Sequence, residues 1–202
     1  PRPAAVTVPA AISVTAPLTF FLIVLGSGLS IAGSIFVAQF SGARDHQRVN
    51  HVAAQTIVMV VCVALLLSII GVVTAAPALR LMGVAPDVLP LAAAYLNITY
   101  TGLLFSYGFM MFQSILQGVG EVRFPLYVVA GSVVLNAVLD PLLIFGWGPI
   151  PAMGVVGAAV ATVISQGVAA LIGVAILFTG RHGIHVSSRH FIPDLAFMKR
   201  AL

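Results

Sequence analysis

The sequence contains one acidic side chain in an unusual setting, Asp140, which lies inside a long apolar stretch four residues after Asn136. In a helix this spacing places both side chains on one face. A carboxylate and an amide carbonyl together could accept a proton or hold a hard cation. If the stretch spans a membrane, such an acid usually faces a cavity or partner and serves an ion or proton pathway. Pro141 follows and lacks a backbone N–H, which favours a kink beside the acid.

Two structural interpretations of Asp140 remain open. The residue is about 24 Å along a helix from Phe124, so it could be an interfacial charge, which costs little. It could also be one half of a structural ion pair. No basic residue occurs within the apolar stretches to neutralise it, which argues against the ion pair.

Other polar residues in apolar stretches are Thr162 and Gln166, one helical turn apart, and the amides Gln39 and Gln113. Each could line an aqueous cavity or merely hydrogen-bond a neighbouring helix. Beside Thr162 runs a stripe of small residues at a spacing of four, which predicts close helix packing: Gly157, Ala161, Ser165, Ala169 and Gly173.

The composition explains what kind of helix carries these residues. Of the 202 residues, 60% are hydrophobic and 7% are charged, whereas soluble domains are about 25% charged. These values exclude a soluble globular domain and also exclude intrinsic disorder, which needs low hydrophobicity and high charge. The net charge of +4 comes from basic residues spread among loops, so no nucleic-acid partner is expected. The sequence predicts a multi-pass membrane protein.

The few charges divide the chain into apolar segments of membrane-spanning length, about 20 residues. Backbone polar groups in hydrocarbon must be satisfied within the segment or in a closed barrel, and the period-two alternation of barrel strands is absent. We therefore predict an all-α polytopic membrane domain over residues 1–180 with five spans, at about 15–40, 52–75, 91–117, 124–146 and 154–179.

Basic residues predict the orientation of these spans. Arg44 and Arg48 lie between the first two spans, Arg123 lies between the third and fourth, and four more follow the fifth. Cytoplasmic loops carry the excess of Lys and Arg, so the N-terminus is expected outside. This arrangement suggests a missing preceding span. The cationic segment 181–202 resembles the start of a connection that leads onward, so we expect a fragment of a larger transporter-like chain.

Several enzymatic and metal-dependent functions lack their residues. The sequence has no GxxxxGK[ST] phosphate-binding loop, and the spans hold one carboxylate, where an intramembrane aspartyl hydrolase needs two. His182 and His185 have no cysteine or acid nearby for a zinc site. We expect neither enzymatic activity nor a cofactor.

Three motifs together resemble the multidrug and toxic compound extrusion (MATE) family of transporters. They are VAQFSGARD at Val37–Asp45, LQGVGEVRFP from Leu116, and the run LNAVLDPLLIFG…MGVVGAAVATVISQ that ends at Gln166. The resemblance covers nearly the whole chain. It implies twelve-helix antiporters of two six-helix lobes, with this chain similar to helices two to six of the N-terminal lobe and 181–202 similar to the start of the inter-lobe linker.

The resemblance further implies a multi-pass protein of the cell membrane that exports small amphipathic organic cations or drugs in exchange for H⁺ or Na⁺. The coupling residues of the family match Asn136, Asp140 and Thr162, which could bind a proton or Na⁺. The family also uses an acid on its first helix, which this sequence lacks. The expected partners are therefore the lipid bilayer, the missing first helix and the C-terminal lobe.

Two alternative functions stay open. A lipid-linked oligosaccharide flippase of the same superfamily would need several cationic residues inside its cavity to bind pyrophosphate, and the spans contain none. The chain could also be an inactive, truncated half-transporter with a structural role. The presence of an upstream span and a second six-span lobe in the source gene would separate these cases.

Overall fold

The computed structural model describes the backbone of residues 4–180 and the side chains of residues 10–180. Six α-helices make up nearly all of this part. They are α1 (Ala4–Gly42), α2 (His46–Leu81), α3 (Leu89–Thr101), α4 (Leu103–Gly118), α5 (Arg123–Phe145) and α6 (Val155–Thr179). The all-α fold class is thereby confirmed. The predicted linker at 181–202 lies outside the described residues.

Four of the helices are long and apolar enough to cross a membrane: the Ala10–Gly42 part of α1, and the whole of α2, α5 and α6. Each contains one predicted span. The third predicted span, 91–117, corresponds to α3 and α4 together, which Gly102 separates. Each of these two helices is shorter than a single membrane crossing, and only together do they reach that length.

Gly102 separates α3 from α4, and its packing against α6 explains why glycine is there. A Cβ atom at this position would lie 2.3 Å from Cγ2 of Val163, so only glycine lets the chain approach α6 this closely. Glycine also lowers helix propensity by about 1 kcal/mol relative to alanine. Close packing and weak propensity therefore coincide at one residue. The helix direction continues, since Gly102 N–H still donates to the Ile98 carbonyl at 2.9 Å.

The core lies between α1, α2 and α4, which bury large side chains including Tyr107, Phe112 and Met59. α5 lies at the edge, packs mainly against α6, and buries only Pro125 and Leu143 among its own residues. The predicted small-residue stripe is buried along its whole length from Gly157 to Gly173. The packing interpretation of this stripe therefore holds.

One end of the α5–α6 hairpin is fixed by backbone contacts. Met153 N–H donates to the Leu143 carbonyl at 2.9 Å, and Gly154 N–H donates to the Ile144 carbonyl at 3.1 Å. A Cβ atom at Gly157 would lie 2.5 Å from the Leu143 oxygen. The start of α6 therefore rests directly on the backbone at the end of α5.

Candidate functional site

A cavity of about 230 Å³ with a partly polar lining, referred to as the main cavity, lies between α1, α3, α4 and α6. The face of α3 and α4 that lines it carries polar and aromatic side chains at spacings of three and four residues, which keeps them on one side of the broken helix. They are Tyr95, Thr99, Ser106 and Gln113, with the apolar Leu103 and Met110 completing the spacing. Thr162 and Gln166 complete the wall from α6.

A second, smaller cavity of about 150 Å³ lies between α4, α5 and α6. Asn136 lines it together with Thr162 and Gln166, which also line the main cavity. The structure thus brings four of the predicted site residues, Asn136, Thr162, Gln166 and Gln113, to adjoining cavities. Thr162 and Gln166 stand between the two.

Ser106 fixes the orientation of Gln166. Its hydroxyl lies within hydrogen-bonding distance of Gln166 Oε1 and of the Gly102 carbonyl, the latter at 3.3 Å. With Oε1 held by Ser106, the Nε2 amide group of Gln166 remains as a donor toward the cavities. This contact joins α4 to α6 across 60 residues of sequence.

Four other hydroxyls of the main cavity donate to backbone carbonyls, so their oxygen atoms are left to accept hydrogen bonds. Threonine side chains donate within their own helices, and Tyr107 donates to the Leu22 carbonyl of α1 at 2.6 Å. The threonines and their carbonyl partners are Thr19 to Thr15, Thr99 to Tyr95 and Thr162 to Ala158, each at 3.0 Å. The wall is therefore rich in acceptors and aromatic faces.

Asp140 lies one turn beyond Asn136 on α5, and it is not among the residues that line either cavity. Its Oδ1 and the Nδ2 of Asn136 are both buried and have no hydrogen-bond partner within the described part of the chain. A buried carboxylate oxygen without a partner carries a large desolvation cost. Among residues 10–180, the arginines occupy loops and helix ends.

The two remaining predicted glutamines differ in position. Gln113 lines the main cavity, and its Nε2 donates to the Phe109 carbonyl at 3.4 Å. Gln39 is exposed near the end of α1 and lies outside both cavities. The sequence reasoning did not find Tyr95, Thr99 and Ser106, although their helical spacing with Gln113 would have indicated a common face.

A resident metal centre has no support in the described region, where no group of three or more His, Cys, Asp and Glu side chains could hold a metal ion. The region contains instead the acid Asp140, whose Oδ1 has no partner among the described residues, and Asn136 one turn before it. The main cavity, with its hydrogen-bond acceptors, lies on the other side of Thr162 and Gln166. Such a set can bind and release a proton or a monovalent cation, and it can hold a ligand that donates hydrogen bonds.

Comparison with known proteins places these residues in a wider context. The family model for MatE matches residues 7–142. The chain is 33% identical over 156 residues to the probable multidrug resistance protein YoeA of Bacillus subtilis (strain 168), covering 77% of this chain and 34% of that protein. It is 29% identical over 161 residues to the multidrug export protein MepA of Staphylococcus saprophyticus, covering 80% of this chain and 35% of that protein.

A solved structure of similar fold is the inward-facing conformation of a multidrug resistance MATE family transporter of the MOP superfamily. The TM-score is 0.88 at 27% identity, over 97% of this chain and 44% of that chain. The chain therefore spans about a third of the length of the curated relatives it matches and less than half of this transporter.

Proposed function

Because the chain belongs to the MATE family of multidrug efflux transporters and covers part of its N-terminal lobe, we propose that it works within a longer antiporter of the cell membrane. That antiporter exports organic cations or drugs in exchange for H⁺ or Na⁺. A further helix before α1 and a second lobe complete it. In this proposal the protein is not an enzyme and needs no cofactor beyond the coupling ion.

The observation that carries the proposal is the unpaired, buried Oδ1 of Asp140, one turn from Asn136. A membrane-embedded acid without a basic partner gains most from a proton or a cation, which removes its uncompensated charge. Asn136 shares a cavity with Thr162, so an ion there would find an amide and a hydroxyl, with the Asp140 carboxylate one helical turn farther along α5.

The main cavity supports an organic cation as the substrate. Its hydroxyl oxygens and the Oε1 of Gln113 accept hydrogen bonds, and its described walls contain no basic side chain. Tyr95, Tyr107 and Phe109 add aromatic faces, which attract cations within about 6 Å of the ring centre. The same absence of basic residues from the described walls disfavours a pyrophosphate-binding flippase.

The coupling step is proposed to act through α5. Pro141 has no N–H to donate to the Ala137 carbonyl, which weakens the helix beside Asp140. Binding of the ion changes the charge at this weak point and shifts α5 between two positions. An ion can shift such an equilibrium only if its affinity for the two states differs. The two states must therefore expose Asp140 differently.

Transport in proteoliposomes tests the proposal. The complete open reading frame is reconstituted, ethidium efflux is followed by fluorescence, and a proton gradient and a sodium gradient are imposed separately. We expect one of the two gradients to drive accumulation of ethidium. Equal rates with either gradient and with none would reject a coupled antiporter. Expression of the 202 residues alone in the same assay tests the alternative of an inactive half-transporter.

A further inference from the structure

A cleft between α5 and α6 adjoins the smaller cavity of the candidate functional site, with which it shares Ser132 and Ser165, and extends from there toward the start of α5. It has a volume of about 390 Å³ and is lined almost wholly by apolar groups. From α5 it is lined by Phe124, Tyr127, Val128, Gly131, Ser132 and Leu135. From α6 it is lined by Ser165, Val168, Ala169 and Ile172. We refer to it as the α5–α6 cleft.

Backbone contacts close the end of the hairpin that is farthest from the cleft. At the far end the Leu143 and Ile144 carbonyls of α5 accept hydrogen bonds from the chain leading into α6. Toward the start of α5 small residues face the gap, and a Cβ atom at Gly131 would meet nothing within 4 Å. The hydroxyl of Ser132 already donates to the Ser165 carbonyl at 3.2 Å. Few polar groups remain to hold water, which needs two to four partners.

The length of the cleft matches one leaflet of a bilayer. Phe124 and Leu135 mark its two ends on α5, eleven residues apart, which is about 16 Å at 1.5 Å per residue. The hydrocarbon core of a bilayer is about 30 Å thick, so one leaflet contributes about 15 Å. The cleft therefore reaches from one membrane surface to about the bilayer midplane.

A positive charge stands at the outer end of the cleft. Arg123, the residue before Phe124, is exposed. Two residues earlier, Glu121 accepts hydrogen bonds at its Oε1 from the backbone N–H groups of Arg123 and Phe124, at 2.9 and 3.0 Å. That carboxylate oxygen caps the helix start. Arg44 in the loop between α1 and α2 lies on this same side of the bundle, because the end of α4 packs against the end of α1 at Gly118. Arg48 follows in the first turn of α2, where it pairs with Asp45 at 3.1 Å.

We propose that the α5–α6 cleft binds an anionic phospholipid of the leaflet on this arginine-bearing side, with one acyl chain in the cleft and the phosphate on Arg123. The depth of one leaflet, the apolar lining and the charge at the mouth all fit this occupant. A water-filled pocket would need polar walls, and the opposite leaflet does not reach the cleft. The inference does not depend on the proposed transport function.

Photo-crosslinking in vesicles tests this proposal. The full-length protein is reconstituted in phosphatidylcholine vesicles that contain a trace of phosphatidylglycerol, or of phosphatidylcholine, with a diazirine on the acyl chain. Labelled peptides are identified by mass spectrometry. We expect the peptides 124–135 and 165–172 to be labelled more strongly than the exposed face of α1. Their labelling should be stronger with the phosphatidylglycerol probe than with the phosphatidylcholine probe. Arg123→Gln should reduce the preference for phosphatidylglycerol about fivefold, as expected for one basic residue near an anionic surface.

Gly131→Phe provides the steric test, because the new ring would fill the cleft from a position where its Cβ meets no atom within 4 Å. Labelling of the cleft peptides should fall to the level of the α1 peptide. Gly28→Phe is the matched control, since Gly28 on α1 is exposed and equally open, and it should leave cleft labelling unchanged. Gly131→Leu serves if the larger variant does not fold.

Three results would overturn the proposal. The first is cleft labelling equal to that of α1. The second is labelling that Gly131→Phe and Gly131→Leu do not reduce. The third is crosslinking of a benzophenone at Ser132 to another segment of the protein in place of lipid, which would show that a further helix fills the cleft.

Discussion

Replacement of Asp140 by asparagine separates a coupling acid from a structural one, because the two roles predict opposite changes in stability. The asparagine side chain has nearly the same shape but no charge. If Asp140 is unpaired, as Oδ1 is within the described residues, the variant removes an uncompensated buried charge. The folded protein should then be as stable as before or slightly more stable.

The alternative, a structural ion pair with a residue beyond those described, predicts a large loss. Breaking a buried pair costs about 3–5 kcal/mol. For a domain of this size, 1 kcal/mol changes the melting temperature by about 2–4 °C. An ion-paired Asp140 therefore predicts a fall of about 6–20 °C in Asp140→Asn, whereas an unpaired coupling acid predicts no fall beyond about 2 °C.

Transport supplies the second measurement on the same variant. For one-for-one exchange, a tenfold ion gradient supports about tenfold accumulation of substrate, equivalent to about 1.4 kcal/mol. Asp140→Asn should reduce this ratio to about one while ethidium still binds. Asp45→Asn is the matched control, since Asp45 caps α2 through Arg48 N–H at 3.1 Å and asparagine caps as well. Gradient-driven accumulation by Asp140→Asn at the wild-type level would refute the assignment.

Two further substitutions test the packing that positions the site. Ser106→Ala removes the hydroxyl that contacts Gln166. The loss of one hydrogen bond of about 1 kcal/mol should raise the KM for ethidium about fivefold, and Ser106→Thr should restore the KM. An unchanged KM in Ser106→Ala would show that Gln166 is not part of the binding site. Gly157→Val places Cβ 2.5 Å from the Leu143 oxygen, a strain of about 1–3 kcal/mol, and should lower the melting temperature by about 2–12 °C. Gly28→Val, which meets nothing within 4 Å, should not.

Most of the fold could be predicted from where charges interrupt the apolar sequence. Four predicted spans lie within single helices, because a bilayer allows little besides a helix of about 20 residues. The division at Gly102 could not be predicted in this way. Its cause is a contact with Val163 on another helix, and hydropathy along the chain carries no information about that neighbour.

The sequence could predict those parts of the candidate site that depend on the spacing of residues along one helix. Asn136 and Asp140, and likewise Thr162 and Gln166, follow from the four-residue repeat. The contact between Ser106 and Gln166 joins residues 60 positions apart and depends on how α4 packs against α6. Serine in a membrane helix is too common to indicate such a contact by itself. The exposed position of Gln39 likewise depends on which side of α1 packs against the other helices, which its own sequence does not determine.

The placement of the acid on α5 has a mechanical consequence. Within the described lobe α5 buries only two of its own residues, whereas α4 buries six, so displacement of α5 disrupts far less packing than displacement of α4. The fixed end of α5 is at Leu143, three residues beyond Asp140, and the open cleft lies at the other end. If α5 moves as proposed, a change in charge at Asp140 would act close to the fixed end of a segment about 24 Å long. In the proposed mechanism, a tilt of about 10° there would move the start of α5 by about 4 Å, and the ring contact between Phe112 and Phe124 would have to give way.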